Sequence, residues 1–208
     1  MSIESKNVIF NNQIEYPDIL INENQITFIT GPSGSGKSTL LKIFNGILTP
    51  SSGQVFYKGK DIEKWDTIEL RRKMLLISQS TYLFDATIKD NFSKFYKFRE
   101  QPVLSSNEML DYLKICNVEF PLDQPCTTLS GGERQRVYLA IFLSFQPEVI
   151  MLDEPTSALD VNNANTVVQN IIAFCKEHTM GVIIVSHDPK LAKQYSENTI
   201  ILNQRGLQ

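Results

Sequence analysis

One glycine-rich stretch decides the fold that this sequence predicts: Gly31-Pro32-Ser33-Gly34-Ser35-Gly36-Lys37-Ser38-Thr39. It fits the pattern G-x-x-x-x-G-K-[ST] at every fixed position. The β-branched and aromatic residues at 25–30 predict a strand before it, and residues 38–46 predict a helix that ends at a glycine. A strand, such a turn and a helix N-terminus together direct backbone N–H groups toward an anion. We therefore expect a nucleoside triphosphate here, with Lys37 on its β- and γ-phosphates and Ser38 on Mg²⁺.

The composition is that of an ordinary globular protein of 208 residues, 42% of them hydrophobic and 21% charged. A net charge of −3 provides no overall attraction for nucleic acid, so we expect none as a partner. The sequence shows neither a secretory leader nor an apolar run as long as a membrane span. We expect a cytoplasmic protein that contacts a membrane only through a partner. The cysteines have no metal-site spacing, which predicts buried or half-buried thiols in a reducing compartment at Cys116, Cys126 and Cys175.

The patterns along the chain predict an α/β fold with a mainly parallel sheet and a helical insert. Residues 6–30 predict short strands joined by turns, and residues 53–59 predict a further strand. Continuous apolar runs at 149–152 and 181–185 predict strands that are buried on both faces, as in a parallel sheet. Residues 80–128 differ in character and include a short predicted helix at 87–92, so we interpret them as a helical insert.

Residues 94–99 of this insert alternate basic and aromatic side chains. Such alternation occurs in nucleic-acid patches, but in an acidic chain we favour a solvated connector with aromatic side chains packed beneath it. One capping box, formed by Ser105 and Glu108, predicts the start of a helix. A second capping box, formed by Ser130 and Glu133, predicts the start of another.

Two acidic residues, Asp153 and Glu154, follow the apolar strand at 149–152. An isolated Asp-Glu pair is typical of a surface turn. Open α/β sheets, however, bind ligands at the carboxyl ends of their strands, and a phosphate loop lies upstream. Asp153 can hold the Mg²⁺ that bridges the phosphates, and Glu154 can orient or deprotonate the attacking water.

The residues at 129–136, Leu-Ser-Gly-Gly-Glu-Arg-Gln-Arg, resemble the signature motif of the ATP-binding cassette (ABC) proteins. With the phosphate loop and the Leu-Asp-Glu-Pro-Thr-Ser-Ala-Leu-Asp run at 152–160, they resemble a transporter's nucleotide-binding domain over about residues 8–202. The resemblance implies a P-loop NTPase core with a mainly parallel sheet, a small antiparallel β subdomain and a helical insert. Residues 1–208 would form one ABC ATP-binding domain with a helical subdomain at about 80–145.

The same resemblance implies an ATPase that uses ATP and Mg²⁺ and powers a separate integral membrane permease. Such a subunit would lie on the cytoplasmic face of the plasma membrane. Residues 29–32 and 70–92 are similar to the short ATPase subunits of iron-export systems, which favours metal export. We expect the permease to dock near Gln79 and the insert, on exposed apolar side chains such as Tyr82, Leu83 and Phe84.

The resemblance also implies roles for matching residues. Gln79 takes the place of a glutamine that touches Mg²⁺ and the attacking water, and His187 that of a histidine on the γ-phosphate. The signature residues would face ATP held by a second copy, so ATP is expected to close a head-to-tail homodimer. The expected catalytic residues are Glu154, His187, Gln79 and Lys37, and the expected metal ligands are Ser38, Gln79 and Asp153. The expected ATP-binding residues are Phe10, Gly31, Pro32, Ser33, Gly34, Ser35, Gly36, Lys37, Ser38, Thr39, Ser130, Gly131, Gly132 and Asp160.

The aromatic side chain that stacks on adenine is left open between Phe10 and Tyr16, because the segment before the phosphate loop is shorter than usual. Phe10 is preferred, since Asn7-Val8-Ile9-Phe10 resembles the start of the family's domain. Two other functions are weighed: a soluble ABC-type ATPase acting on DNA or ribosomes, and a subunit that binds without hydrolysis. The absence of a heptad run between Gln79 and Ser130 counts against the first, and the intact catalytic residues count against the second.

Overall fold

The computed structural model describes residues 2–22 and 24–203. The chain divides into two compact units. Unit 1 comprises the chain up to Ser78, the segment Pro147–Glu154 and the chain from Thr179 onward. Unit 2 comprises Gln79–Gln146 and Pro155–His178.

The described residues form both strands and helices. The strands are β1 (Ile3–Phe10), β2 (Ile14–Glu15), β3 (Ile19–Ile21), β4 (Ile26–Thr30), β5 (Ser52–Tyr57), β6 (Lys60–Asp61), β7 (Met74–Ile77), β8 (Val149–Asp153), β9 (Gly181–Val185) and β10 (Asn198–Ile201). The helices are α1 (Lys37–Phe44), α2 (Thr67–Lys73), α3 (Ile88–Phe98), α4 (Ser106–Ile115), α5 (Gly131–Leu143), α6 (Val161–Glu177) and α7 (Pro189–Tyr195).

One sheet of unit 1 is parallel throughout, in the order β10-β4-β9-β8-β7. All five residues of β8 and of β9 are buried, which confirms the interpretation of their apolar runs. Val185 at the end of β9 pairs with Ile29 of β4 on one side and with Asp153 of β8 on the other. The loops that follow these three strands therefore start at the same edge of the sheet.

The second sheet of unit 1 is antiparallel, in the order β2-β1-β5-β6, with β3 also paired to β1. It is the small β subdomain that the sequence predicts, although β1 is an eight-residue strand rather than a short one. Helix α1 buries Leu40, Leu41, Ile43 and Phe44 in the core of unit 1. The α/β fold class with a parallel and an antiparallel sheet is thus confirmed.

Unit 2 is helical, and it corrects one sequence prediction. The helix expected at 87–92 continues as α3 to Phe98, so the stretch at 94–99 is almost entirely helical and not a connector. The reason is local: Thr87 and Asp90 form a capping box, and Ile88, Phe92 and Tyr96 recur at every fourth position on the buried face. The capping boxes predicted at Ser105 and Ser130 are both present.

Two further expectations concern the whole chain. The three cysteines are buried and free, as the sequence predicts. Among the residues that the structure describes, no helix combines the length and the apolar character needed to cross a bilayer.

A half-buried glutamate joins the two sheets of unit 1. Glu148, just before β8, accepts hydrogen bonds from Tyr57 Oη at 2.6 Å and Lys73 Nζ at 2.7 Å, and it also pairs with Lys58. Burial alone would raise the pKa of Glu148, but these hydrogen bonds outweigh burial and lower it to about 2. The folded chain therefore favours the ionised carboxylate, and Tyr57 ties β5 to the neighbourhood of β8.

Replacing this carboxylate by an amide, Glu148→Gln, should lower the free energy of unfolding at pH 7 by about 2 kcal/mol. The pKa of Glu148 lies below its ordinary value of 4.5 in the folded chain, so the stabilisation is complete above that value. It is lost as the pH falls from about 4.5 toward 2. Urea unfolding of both chains between pH 3 and pH 7 measures the difference, with the exposed Glu63→Gln as control. A difference as large at pH 3 as at pH 7 would contradict the assignment.

Candidate active site

The glycine-rich turn at residues 31–39 joins β4 to α1 within unit 1. Gly36 is the N-cap residue of α1 and has a φ of 88°, a conformation that glycine adopts without steric cost. No side chain caps this helix, so its first backbone N–H groups keep their capacity to bind an acceptor. With the partial positive charge of a helix N-terminus, the turn forms a cradle for an anion.

Lys37 lies across the turn. Its Nζ donates to the carbonyl oxygen of Gly31 at 3.0 Å and to that of Pro32 at 2.9 Å. Burial lowers the pKa of Lys37, and the nearby carboxylates of Glu154 and Asp153 oppose that effect. The ammonium group is thus held inside the cradle by two carbonyl groups that a phosphate can replace as acceptors.

Asp153 and Ser38 meet beside this lysine. Ser38 Oγ, in the first turn of α1, donates to Asp153 Oδ1 at the end of β8 over 2.9 Å. Burial raises the pKa of Asp153, and the hydrogen bond from Ser38 works in the opposite direction. A hydroxyl and a carboxylate oxygen this close together are ligands that Mg²⁺ prefers.

Glu154 and His187 form a second pair at the same edge of the sheet. Glu154 Oε1 lies 2.7 Å from His187 Nε2, so an imidazole that carries its proton on Nε2 donates to the carboxylate. Glu154 has a φ of 52°, which is uncommon for a residue with a side chain, and its N–H donates to the carbonyl of Val185 at 3.0 Å. Strained backbone of this kind concentrates at functional sites.

A separate observation indicates that the cradle can hold a triphosphate. Ser35 Oγ is buried and has no hydrogen-bond partner among the described residues. Such an atom is rare in folded proteins, and an anion would satisfy it. Among the described residues, no atom outside the chain neighbours of Gly34 comes within 4 Å of where a Cβ would stand, so the tip of the turn is open. The residues also fit Mg²⁺, which would supply positive charge to the phosphate oxygens next to Ser38 and Asp153.

The signature residues lie in unit 2. Ser130 caps α5 reciprocally with Glu133, whose Oε2 accepts from the Ser130 N–H at 2.7 Å. Gly131 has open space where a Cβ would stand, whereas a Cβ on Gly132 would meet the carbonyl oxygen of Ala158 at 2.7 Å. The start of α5 therefore packs closely on the segment before Asp160, and only glycine permits that approach.

The structure thus brings part of the expected set together. Within unit 1, the glycine-rich turn, Asp153, Glu154 and His187 share one edge of the parallel sheet. Phe10 also belongs to unit 1, and the remaining expected residues belong to unit 2: Gln79, Ser130, Gly131, Gly132 and Asp160. Asp160 accepts a hydrogen bond from the Asn163 N–H at 3.0 Å, which places it at the start of α6.

The two aromatic candidates for adenine occupy different places. Tyr16 is only 6% exposed, and its hydroxyl donates to the Gly36 carbonyl at 3.0 Å. Phe10 is the last residue of β1, partly exposed beside the core of unit 1. The enclosed ring of Tyr16 leaves Phe10 as the residue we propose for stacking on adenine. The contact between Tyr16 and Gly36 is one that sequence spacing does not reveal, because it depends on the register of β1 and β2.

Comparison with known proteins agrees with this geometry. The family profile described as ABC transporter matches residues 16–157. A protein of Escherichia coli named "Probable iron export ATP-binding protein FetA" is 36% identical over 79% of this chain and 73% of its own length. The "Hemin import ATP-binding protein HmuV" of Photobacterium damsela subsp. piscicida is 35% identical over 92% of this chain and 74% of its own length.

A solved structure extends the likeness to the fold. MJ0796, a bacterial ABC transporter cassette solved as a dimer, is similar with a TM-score of 0.84 and 28% identity, over 97% of this chain and 94% of its own. The same cassette has also been solved in a post-hydrolysis state bound to ADP and Pi. A P-loop core with a separate signature-bearing helical unit defines an ATP-binding cassette. This chain belongs to the ABC transporter family, and it is an ATPase.

Two substitutions separate binding from hydrolysis. Lys37→Ala removes the one side-chain charge in the cradle, so ATP affinity should fall about 10- to 100-fold. Glu154→Gln should leave ATP affinity within a few-fold of the parent chain and slow turnover about 10²- to 10⁴-fold. Titration with a fluorescent ATP analogue measures the affinity, and phosphate release measures the turnover. Glu154→Gln hydrolysing ATP at the parent rate would show that Glu154 does not act on the water.

Proposed function

We propose that this chain is the ATP-hydrolysing subunit of an ABC transporter and that it powers a separate integral membrane permease. The observation that carries the hydrolytic part is the clustering of a phosphate cradle, an Mg²⁺ ligand pair and a carboxylate–histidine pair at one sheet edge. In this proposal Lys37 holds the phosphates, Ser38 and Asp153 hold Mg²⁺, and Glu154 acts on the attacking water. His187 keeps Glu154 in place and reaches the γ-phosphate.

The second part of the proposal is a homodimer that forms on ATP. The N-terminus of α5 supports it, because Ser130 and Gly131 are exposed and the backbone there can receive an anion. The dimeric structure of MJ0796 supports it as well. A second copy would place its own Ser130 opposite the triphosphate held by the first, with Gln79 and Asp160 completing the site. With ATP, Glu154→Gln should then elute as a dimer, because turnover no longer releases the nucleotide.

An aromatic surface on unit 2 supports docking to a permease. It consists of rings from α3, from α5 and from the segments just before α3 and just after α5, each within about 6 Å of another, centroid to centroid. These side chains, the aromatic patch, are Tyr82, Phe84, Phe95, Phe98, Tyr138, Phe142 and Phe145. Tyr82 is 60% and Phe98 68% exposed. Exposed aromatic clusters of this kind mark protein interfaces.

One expected docking residue is corrected. Leu83 is only 4% exposed, and its backbone carbonyl accepts a hydrogen bond from Arg134 Nη2 at 3.3 Å. It belongs to the core of unit 2 because the chain turns its side chain inward between Tyr82 and Phe84. Because α3 extends to Phe98, this residue joins the aromatic patch. The interpretation of residues 94–99 as a connector did not identify Phe98 as a docking residue.

The cargo proposal rests on the relatives. FetA is named for iron export and HmuV for hemin import, and their identities to this chain are nearly equal. Both names concern iron, so we propose an iron-related cargo and retain export as the proposed direction. The permease selects the cargo, and this subunit would lie with it on the cytoplasmic face of the plasma membrane.

Charge introduced into the aromatic patch tests the docking proposal. The double substitution Tyr82→Glu with Phe98→Glu should reduce recovery with membranes at least about tenfold, since loss of central interface residues costs about 2 kcal/mol or more. The ATPase activity of the isolated chain should be unchanged, because both side chains are exposed. Ile68→Glu, at a residue of unit 1 that is 65% exposed, is the matched control.

Quantitative membrane recovery with the permease identified by mass spectrometry is the readout. Equal recovery of the double variant and the control would place the docking surface elsewhere.

A further inference from the structure

Tyr16 has a contact that stacking on adenine would not require. It follows β2, and its backbone N–H donates to the carbonyl of Val8 in β1 at 2.9 Å, which fixes its position. Its side chain is buried, and its hydroxyl donates to the carbonyl oxygen of Gly36 at 3.0 Å. Gly36 is the last residue of the glycine-rich turn before α1.

The Gly36 carbonyl is held from two directions. It accepts the N–H of Leu40 at 2.8 Å, the first hydrogen bond of α1, and it accepts the Tyr16 hydroxyl as well. The peptide bond from Gly36 to Lys37 is planar and trans, so its carbonyl and its N–H point in opposite directions. Fixing the carbonyl therefore fixes the direction of the Lys37 N–H, which points away from Tyr16.

The tyrosine ring also occupies the space that glycine leaves. A Cβ on Gly36 would stand 2.6 Å from Tyr16 Oη and 3.3 Å from the side chain of Ile14. Thr39, the last residue of the stretch at 31–39, influences the same hydroxyl. Burial raises the pKa of Tyr16 to about 12, an effect that the interaction with Thr39 partly opposes, so the hydroxyl remains a donor at neutral pH.

We propose that Tyr16 is a positioning residue for the phosphate cradle: its hydroxyl orients the Gly36–Lys37 peptide so that the Lys37 N–H faces the bound phosphates. The proposal rests on the placement of the triphosphate in the turn at 31–39. It assigns Tyr16 to the phosphate part of the ligand and leaves adenine to Phe10. A tyrosine that stacked on adenine would need a free ring face, and this ring is enclosed.

The experiment compares two probes on the full chain, ATP and inorganic tripolyphosphate. Tyr16→Phe keeps the ring and removes the hydroxyl, so the dissociation constants of both probes should rise by the same factor, about 3- to 10-fold. Phe10→Leu should raise the dissociation constant of ATP and leave that of tripolyphosphate unchanged, since only ATP carries a base. Competition against a fluorescent ATP analogue gives all the dissociation constants.

Tyr57→Phe is the matched control. It removes another buried hydroxyl of unit 1, one that bonds Glu148 and lies outside the turn at 31–39. Both tyrosine variants should lower the thermal unfolding midpoint of the free chain, but only Tyr16→Phe should weaken the binding of tripolyphosphate. A purely structural role for Tyr16 would change the midpoint alone.

Three results would overturn the proposal. Unchanged affinity of Tyr16→Phe for both probes would remove the positioning role, and weaker ATP binding with unchanged tripolyphosphate binding would assign Tyr16 to adenine. The third result would be a failure of the phosphate placement itself, and the variant Lys37→Ala detects it. If Lys37→Ala bound tripolyphosphate as the parent does, the turn would not hold the phosphates and the role of Tyr16 would fall with it.

Discussion

The hydrogen bond between Ser38 Oγ and Asp153 Oδ1, 2.9 Å long, joins the N-terminus of α1 to the carboxyl end of β8. This hydrogen bond depends on the order of the strands. Strands β8 and β9 end in register, and β4, which leads into the glycine-rich turn, pairs with the other side of β9. Burial disfavours the ionised form of Asp153 and so raises its pKa. The hydrogen bond from the Ser38 hydroxyl reduces the free-energy cost of burying this charge, and a bound cation would reduce it further. The sheet order therefore decides which side chains can share the phosphates, and the strained backbone of Glu154 follows from the same position.

The contacts around the cradle form a state suited to receive a nucleotide. The Lys37 ammonium is bonded to two loop carbonyls, and Glu154 is bonded to His187. Each of these groups has a partner that phosphate or water can replace, so binding exchanges hydrogen bonds and leaves no buried charge unpaired. Tyr16 and Leu40 keep the Gly36 carbonyl in place meanwhile. A cradle that is ordered beforehand loses less conformational freedom when the ligand arrives.

Features with a local cause could be predicted from the sequence. The phosphate loop, the buried strands β8 and β9 and both predicted capping boxes depend on residues within a few positions of each other. The extent of α3 was predicted too short, although Thr87 and Asp90 carried the signal of its start. The burial of Leu83 and the contact of Tyr16 with Gly36 depend on packing between segments distant in sequence, which no local pattern encodes. For the same reason no local pattern predicts the aromatic patch, because its rings meet only where α3 and α5 pack together.

A double-mutant cycle on Ser38 and Asp153 tests most directly whether this sheet edge holds the metal and the phosphates of one ATP. The quantity measured is the rate of ATP hydrolysis as a function of Mg²⁺ concentration for the parent chain, Ser38→Ala, Asp153→Asn and the double variant. If both side chains hold the same Mg²⁺, the double variant should be about as impaired as the worse single variant, because the first substitution already removes the shared site. Effects of the two substitutions that multiply would show that they act independently, and would contradict this assignment.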